Sequence, residues 1–348
     1  LSQQMTITVN PTPSVVDPQD LVVCNGELVP ATNFIGTSTS YNWVNNTPSI
    51  GLASNGVGNI LPFTAQNNTS FPITATITAT PDYSGGNANC SGAAQSFTIT
   101  INPTPIVNDI ADQTICNTAS TTPLTFTGTG TSYTWSNTTP SIGLSTNGIG
   151  DIPSFQGLNN GTNPVTGTIT VTPQLLNASL TCSGLPQTID IIINPTPTVV
   201  DPLDVVICNG SNSALINFIG TGTNYNWTNN NPSIGLGVNG IGNITSFNAI
   251  NNGNVPISAT ITVTPSFIGN NSSCLGIPQT FTITVNPTPI VNASSNQIVC
   301  NGASTALVNF SGTGTAYTWL NNTPSIGLFG NGIGDINSFT ATNNTSGL

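Results

Sequence analysis

The stretch Cys24-Asn-Gly-Glu-Leu-Val-Pro-Ala-Thr-Asn-Phe-Ile-Gly-Thr-Ser-Thr-Ser-Tyr41-Asn-Trp43 decides the reading of this chain, because its landmarks return three more times at a step of 92 residues. The cysteines fall at Cys24, Cys116, Cys208 and Cys300, and the tryptophans at Trp43, Trp135, Trp227 and Trp319. Tyr41, Tyr133, Tyr225 and Tyr317 each stand two residues before a tryptophan. Asn10-Pro-Thr-Pro recurs from Asn102, Asn194 and Asn286 at the same step. A period kept without insertion or deletion marks a tandem array, and a unit this long is a domain rather than one coil of a solenoid. The repeats divide as residues 1–10 (the last strand of a preceding repeat), 11–102, 103–194, 195–286 and a truncated fourth copy, 287–348.

Met5, Ile7 and Val9 in the lead-in, and Phe97, Ile99 and Ile101 at the end of the first full repeat, alternate with polar residues, the period of a half-buried strand. Leu21–Cys24, Ala31–Ile35, Ser40–Val44, Ile60–Ala65, Ile73–Thr80 and Ser96–Asn102 read as strands. Asn55-Gly56 reads as a hairpin turn, and Thr47-Pro-Ser-Ile-Gly-Leu as a structured loop. A polar loop carries Cys90 into the final strand. With about seven short strands per repeat and no helical period, the fold expected is all-β, a tandem array of immunoglobulin-like β-sandwiches. The Pro-Thr-Pro tags read as stiff spacers between sandwiches, since two prolines fix φ and remove backbone donors.

Composition excludes whole classes of function. The 348 residues hold no Lys, no Arg and no His, and the eleven acidic residues give a net charge of −11. Without side-chain cations the chain cannot neutralise phosphates, so neither nucleic acid nor an anionic membrane surface is an expected partner. No run of apolar residues approaches the ~18 of a membrane span, so no membrane insertion is expected. Lacking imidazole and lysine, the chain has no His-based zinc site, no general-base histidine and no Schiff base, and no enzyme is expected. Apolar residues nonetheless reach 36 % and fall in alternating runs, unlike a disordered chain. Leu1 falls inside a repeat and the fourth copy stops before its last two strands, so a piece of a longer chain is expected, and the lack of a signal peptide carries little weight.

Cys24 and Cys90, Cys116 and Cys182, and Cys208 and Cys274 each lie 66 residues apart, one pair per repeat. The expectation is one disulfide within each repeat, in an oxidising compartment, with Cys300 left unpaired in this stretch; reduced buried thiols or a metal remain alternatives. The Tyr-x-Trp pairs read as core aromatics, with a sugar-stacking platform as the alternative. Asp17/Asp20, Asp109/Asp112 and Asp201/Asp204 follow the linkers and are weak calcium candidates; solvated turn carboxylates are the plainer reading. The Thr-rich strand faces suit exposed β-structure better than an ice-binding array.

The unit Cys-x-Gly … Tyr-x-Trp … Pro-Ser-Ile-Gly-Leu … Asn-Gly-x-Gly-x-Ile … Thr-Ile-Thr-Val-Thr-Pro … Cys-x-Gly … Thr-Ile-Thr-Val-Asn-Pro-Thr-Pro resembles the PKD-like, immunoglobulin-like repeats of giant Bacteroidota cell-surface adhesins, the SprB-like gliding adhesins among them. The resemblance covers essentially the whole chain. It implies type 9 secretion, attachment to the outer membrane and display as long filaments. The expected role is a stalk segment whose nearest partners are other repeats of the same chain, serving surface adhesion and gliding motility. Two alternatives stay open: a self-assembling extracellular fibre, and carbohydrate-binding or spacer repeats of a secreted enzyme.

Overall fold

The alternation Ile73-Thr-Ala-Thr-Ile-Thr-Ala sends Ala75, Ile77 and Ala79 fully into the interior and keeps the threonines at the surface. β-Branched threonine suits this half-exposed pleat. The computed structural model describes residues 2–269 and 271–345 and is built of β-structure with four short 3-10 turns. Leu1, Asn270 and residues 346–348, which the domain limits of the sequence reading include, lie outside the described residues.

Repeat 1 contains β1 (Leu21–Cys24), β2 (Leu28–Val29), β3 (Ser40–Asn45), β4 (Asn55–Val57), β5 (Phe63–Thr64), β6 (Ile73–Gly85), β7 (Ala88–Ser91) and β8 (Gln95–Asn102). The main sheet runs β1-β8-β6-β3-β4, with β7 hairpinned onto the far end of β6. β6 is antiparallel to both neighbours, matching Ile73 with Ile101 and Asn45 with Ile77. β1 lies parallel to β8, with Leu21 opposite Ile99 and Cys24 opposite Asn102. The facing layer is thin, formed by the β2–β5 pair and the bridges Thr32↔Ile60 and Val15↔Gly36.

Repeat 2 repeats the main sheet with β9 (Gln113–Cys116), β10 (Ser132–Asn137), β11 (Asn147–Ile149), β12 (Val165–Asn177), β13 (Leu180–Ser183) and β14 (Gln187–Asn194). In residues 196–345 the same sheet is formed once more by β15 (Val205–Cys208), β16 (Asn224–Asn229), β17 (Asn239–Ile241), β18 (Ile257–Gly269), β19 (Ser272–Leu275) and β20 (Gln279–Asn286). The last copy has only the pair β21 (Thr318–Leu320) and β22 (Asn331–Ile333) among its described residues. Two units, Leu1–Pro195 and Thr196–Leu348, divide the chain.

Each full repeat owns its core. Ile50, Ile60, Ile77 and Phe97 belong to one cluster, Ile142, Ile152, Ile169 and Ile189 to a second, and Ile234, Ile244, Ile261 and Phe281 to a third. The sheets, the thin facing layers and the separate cores make this a tandem array of β-sandwiches, as the alternation predicts.

The facing layer departs from expectation. Ala31–Ile35 and Ile60–Ala65 do not run as full strands; they touch through the bridge Thr32↔Ile60, and the two residues of β5 pair with β2 instead. A side chain replaces part of the ladder, because the Phe34 N–H is taken by Asn59 Oδ1 at 2.9 Å, and Phe126 and Phe218 repeat the arrangement with Asp151 and Asn243. Asn55-Gly56 is not a hairpin turn either. It lies in β4, with Gly56 directly opposite Trp43. A Cβ on Gly56 would sit 2.2 Å from the indole ring, so glycine is there to admit the tryptophan. Residues 2–10 join no ladder among the described residues, and Met5, Ile7 and Val9 stand exposed.

Buried asparagines tie the loops down. Asn159 Nδ2 donates to Ile193 O at 2.7 Å and Asn163 O at 2.9 Å, and Asn67 and Asn251 do the same in their repeats. Asn159→Ala leaves two carbonyls without their donor, one of them in a buried bond, and is expected to cost repeat 2 about 1–3 kcal/mol. Urea unfolding followed by Trp135 fluorescence measures it.

Candidate functional site

The joint between repeats 1 and 2 brings together more of the singled-out residues than any other place in Leu1–Pro195. It starts from the length of β12. Its first part pairs with β14 and its middle with β10, but Leu175–Asn177 continue past the start of β10 and pair only with β13. Ala178 and Ser179 close this projecting hairpin with φ of 46° and 67°, the left-handed pair of a two-residue turn. The hairpin therefore reaches beyond its own sheet and carries Cys182, which is 2 % exposed.

Cys182 is bonded to Cys24 of repeat 1, with the Cα atoms 5.6 Å apart and a sequence separation of 158. This corrects the pairing within repeats. Cys24–Cys90 and Cys116–Cys182 do not form, since Cys24 and Cys182 hold each other. Cys208–Cys274 does not form either, because Cys208 is a free, exposed thiol. Cys90 and Cys300 are free as well, whereas Cys116 and Cys274 are both disulfide-bonded.

Sheet topology supplies the physical reason. Cys24 sits beside Asn102 at the end of β8, while Cys90, on β7, precedes the start of that strand. The 8 residues of β8 hold them roughly 25 Å apart at ~3.3 Å per residue, several times the reach of a disulfide. Only a hairpin arriving from the next repeat can meet Cys24.

The rest of the joint is polar and close-fitting. Asn177 Nδ2 donates to Asn102 Oδ1 at 2.7 Å, from the hairpin to the last residue of β8. Asn25, next to Cys24, donates through Nδ2 to Thr104 Oγ1 of the linker at 3.0 Å. The linker is no free spacer, because Pro103 and Pro105 are buried. A Cβ on Gly184, at the foot of the hairpin, would lie 1.8 Å from the Pro105 carbonyl oxygen. Only glycine lets the linker lie this close. None of this was visible from the motifs, although the recurrence of Asn102, Gly184 and their equivalents at the common step was a signal.

The aromatic candidates are interior. Trp43, Trp135 and Trp227 are buried, and Tyr41, Tyr133 and Tyr225 pack at the edge of the same cores. Phe34 and Tyr41 stand 5.4 Å apart between ring centroids, and Phe126–Tyr133, Phe218–Tyr225 and Phe310–Tyr317 repeat the pair. Trp319 and Tyr317 are half-buried in the last copy. Buried and covered by Gly56, Gly148 and Gly240, Trp43, Trp135 and Trp227 offer no open face for a sugar. Burial also pushes the Tyr225 hydroxyl up in pKa.

All six aspartates of the calcium candidates are exposed. Asp20, Asp112 and Asp204 each accept a backbone N–H from the last strand of their sheet, from Thr98 at 2.6 Å, Asp190 at 2.8 Å and Thr282 at 2.7 Å. Asp17, Asp109 and Asp201 make no comparable bond among those described. No group of three or more acidic, histidine or cysteine side chains gathers among the described residues. Calcium takes six to eight oxygens, and each of these pairs supplies two carboxylates toward that number.

Asp20 and Asp204 serve the fold instead, and the N–H each accepts holds its carboxyl below the ordinary value of 3.8. A carboxyl lowered in the folded state stabilises fully above its unfolded value and loses that contribution as pH falls through the folded one. Asp20→Asn should therefore lower repeat 1 stability at neutral pH and flatten its acid limb, so that the urea midpoints of variant and wild type, read across pH 2–7, converge at the acid end.

A cavity of about 730 Å³ in the last copy is lined by Ile298, Val308, Ile326 and Phe339. It is the sandwich face that β6, β12 and β18 cover in the full repeats. No helix of the described residues is long and apolar enough to cross a membrane.

No family model matches this chain. No curated protein matches it either. Among solved structures it is similar to the human desmocollin-1 ectodomain, at 10 % identity over 96 % of this chain and 74 % of that one, with a TM-score of 0.30. Mouse protocadherin-24 EC1–3 aligns at 10 % identity over 82 % of this chain and all of that one, with a TM-score of 0.34. The N-terminal eight immunoglobulin domains of Down syndrome cell adhesion molecule align at 11 % identity over 95 % of this chain and 50 % of that one, with a TM-score of 0.28. At such distances the strand registers, not the likeness, carry the fold.

Proposed function

We propose that this chain is a structural segment of an extracellular adhesion stalk, in which repetition sets reach and a covalent joint ties repeat 1 to repeat 2. The observation that carries the reading is the Cys24–Cys182 bond, which joins one self-contained sandwich to the next. Disulfides persist in oxidising surroundings, which supports an extracellular place. A surface of amides and hydroxyls with no cation suits exposure and favours neither nucleic acid nor an anionic membrane. The reading assigns no catalysis and no calcium to these repeats. Attachment to the outer membrane, export by type 9 secretion and a part in gliding come from the resemblance of the repeat motifs and belong to this proposal.

Live-cell imaging with an antibody raised against repeat 2 tests it. Label on intact cells, in long tufts or travelling along the cell, is the expected result, and travelling label would favour the gliding role. Absence of label from intact cells that do contain the protein would overturn surface display.

A further inference from the structure

We propose that the Cys24–Cys182 disulfide is a tension bypass, which takes force applied along the chain past the folded bodies of repeats 1 and 2 until it is reduced. Residues 25–181 lie inside the ring that the bond closes, and the Cα atoms at its neck are 5.6 Å apart. A pull on the two ends of Leu1–Pro195 therefore runs down the chain to Cys24, crosses the bond and leaves along β13 and β14. β1 and β14 are already extended strands, so this path has little slack to give up. β1 stays laddered to β8, and β14 to β9 and β12, but the strands inside the ring carry none of the pull. Pulling cannot unravel β3, β6, β10 or β12, because all of them hang within the ring.

The alternative pairing would act differently. A bond within each repeat would leave the segment from Cys90 to Cys116, linker included, bearing tension between two separate rings. The observed bond spans that linker and the joint around it. It thus protects the place where a chain of domains would otherwise open first.

Burial of Cys24 at 9 % and Cys182 at 2 % exposure keeps the bond from casual reduction. A dithiol that gains access attacks one sulfur as thiolate, releases the other, and departs as its own cyclic disulfide. Cys24 and Cys182 are left as two thiols, and the bypass is open. The device would serve the stalk reading, but it is tested on the purified chain, so its failure is distinguishable from a failure of surface display.

The test holds the full chain in optical tweezers by handles on azide side chains introduced beside Pro11 and Pro195. Extension to high force reads covalent connectivity, whether or not a variant folds well. The oxidised chain is expected to yield only the short segments outside the ring. After dithiothreitol the same molecule should lengthen by 158 residues, roughly 520–570 Å at ~3.3–3.6 Å per residue. Cys24→Ser combined with Cys182→Ser should be long from the start, and Cys90→Ser should stay short. Equal lengths before and after reduction would overturn the proposal. So would a lengthening of Cys90→Ser by roughly 200 Å, which would place the bond inside repeat 1.

Discussion

Cys24→Ser with Cys182→Ser is expected to lower the stability of Leu1–Pro195 toward joint unfolding of its two repeats by about 5 kcal/mol. The figure follows from the chain-entropy relation for a ring closed over 158 residues. It exceeds what any single hydrogen bond at the joint supplies, since a bond such as Asn177–Asn102 contributes about 1 kcal/mol. The loss should show as uncoupling. With the bond intact, repeats 1 and 2 melt close together; without it, their transitions separate, because each keeps its own hydrophobic cluster. Calorimetry of the full chain checks this. Cys90→Ser should change nothing, as Cys90 bonds to no other cysteine.

Trp135→Ala should cost repeat 2 about 3–5 kcal/mol, the usual loss for emptying a buried tryptophan site. Trp135 is 8 % exposed, lies opposite Gly148 across β10 and β11, and donates its indole N–H to Gly150 O at 3.1 Å. The cavity would be hard to close, because the ring's neighbour is a glycine with no side chain to move in. The reverse change is informative as well. A Cβ on Gly148 would meet the ring at 2.3 Å, so Gly148→Ala should also destabilise, by overpacking. Denaturation midpoints of both variants, with repeat 3 as the internal standard, give the two numbers.

Much of this architecture could be read from the residues. Threonine alternating with isoleucine forecast β6 and β8, and the fixed step of Trp43 and Cys24 forecast repeated sandwiches. The interior placement of Trp43, Trp135 and Trp227 agrees with a core role. The facing layer was less legible, because side chains such as Asn59 and Asp151 take backbone donors there and shorten the strands. Asn55-Gly56 misled for a related reason. The pair has the letters of a turn, yet its glycine makes room for an indole.

The cysteine pairing was hidden by the repetition itself. When every unit carries the same two cysteines, Cys90 and Cys182 are equivalent by spacing, and only the direction of the strands distinguishes them. Once β1 is parallel to β8, Cys24 and Cys90 fall at opposite ends of one strand, and the projecting hairpin of the next repeat becomes the partner.

The most direct measurement is a disulfide map of the unreduced full chain. Trypsin finds no site, since Lys and Arg are absent, so pepsin followed by mass spectrometry of the linked fragments is the route. The account predicts that Cys24 and Cys182 are recovered in one linked fragment, with Cys90 recovered as a free thiol. A fragment joining Cys24 to Cys90 would contradict it.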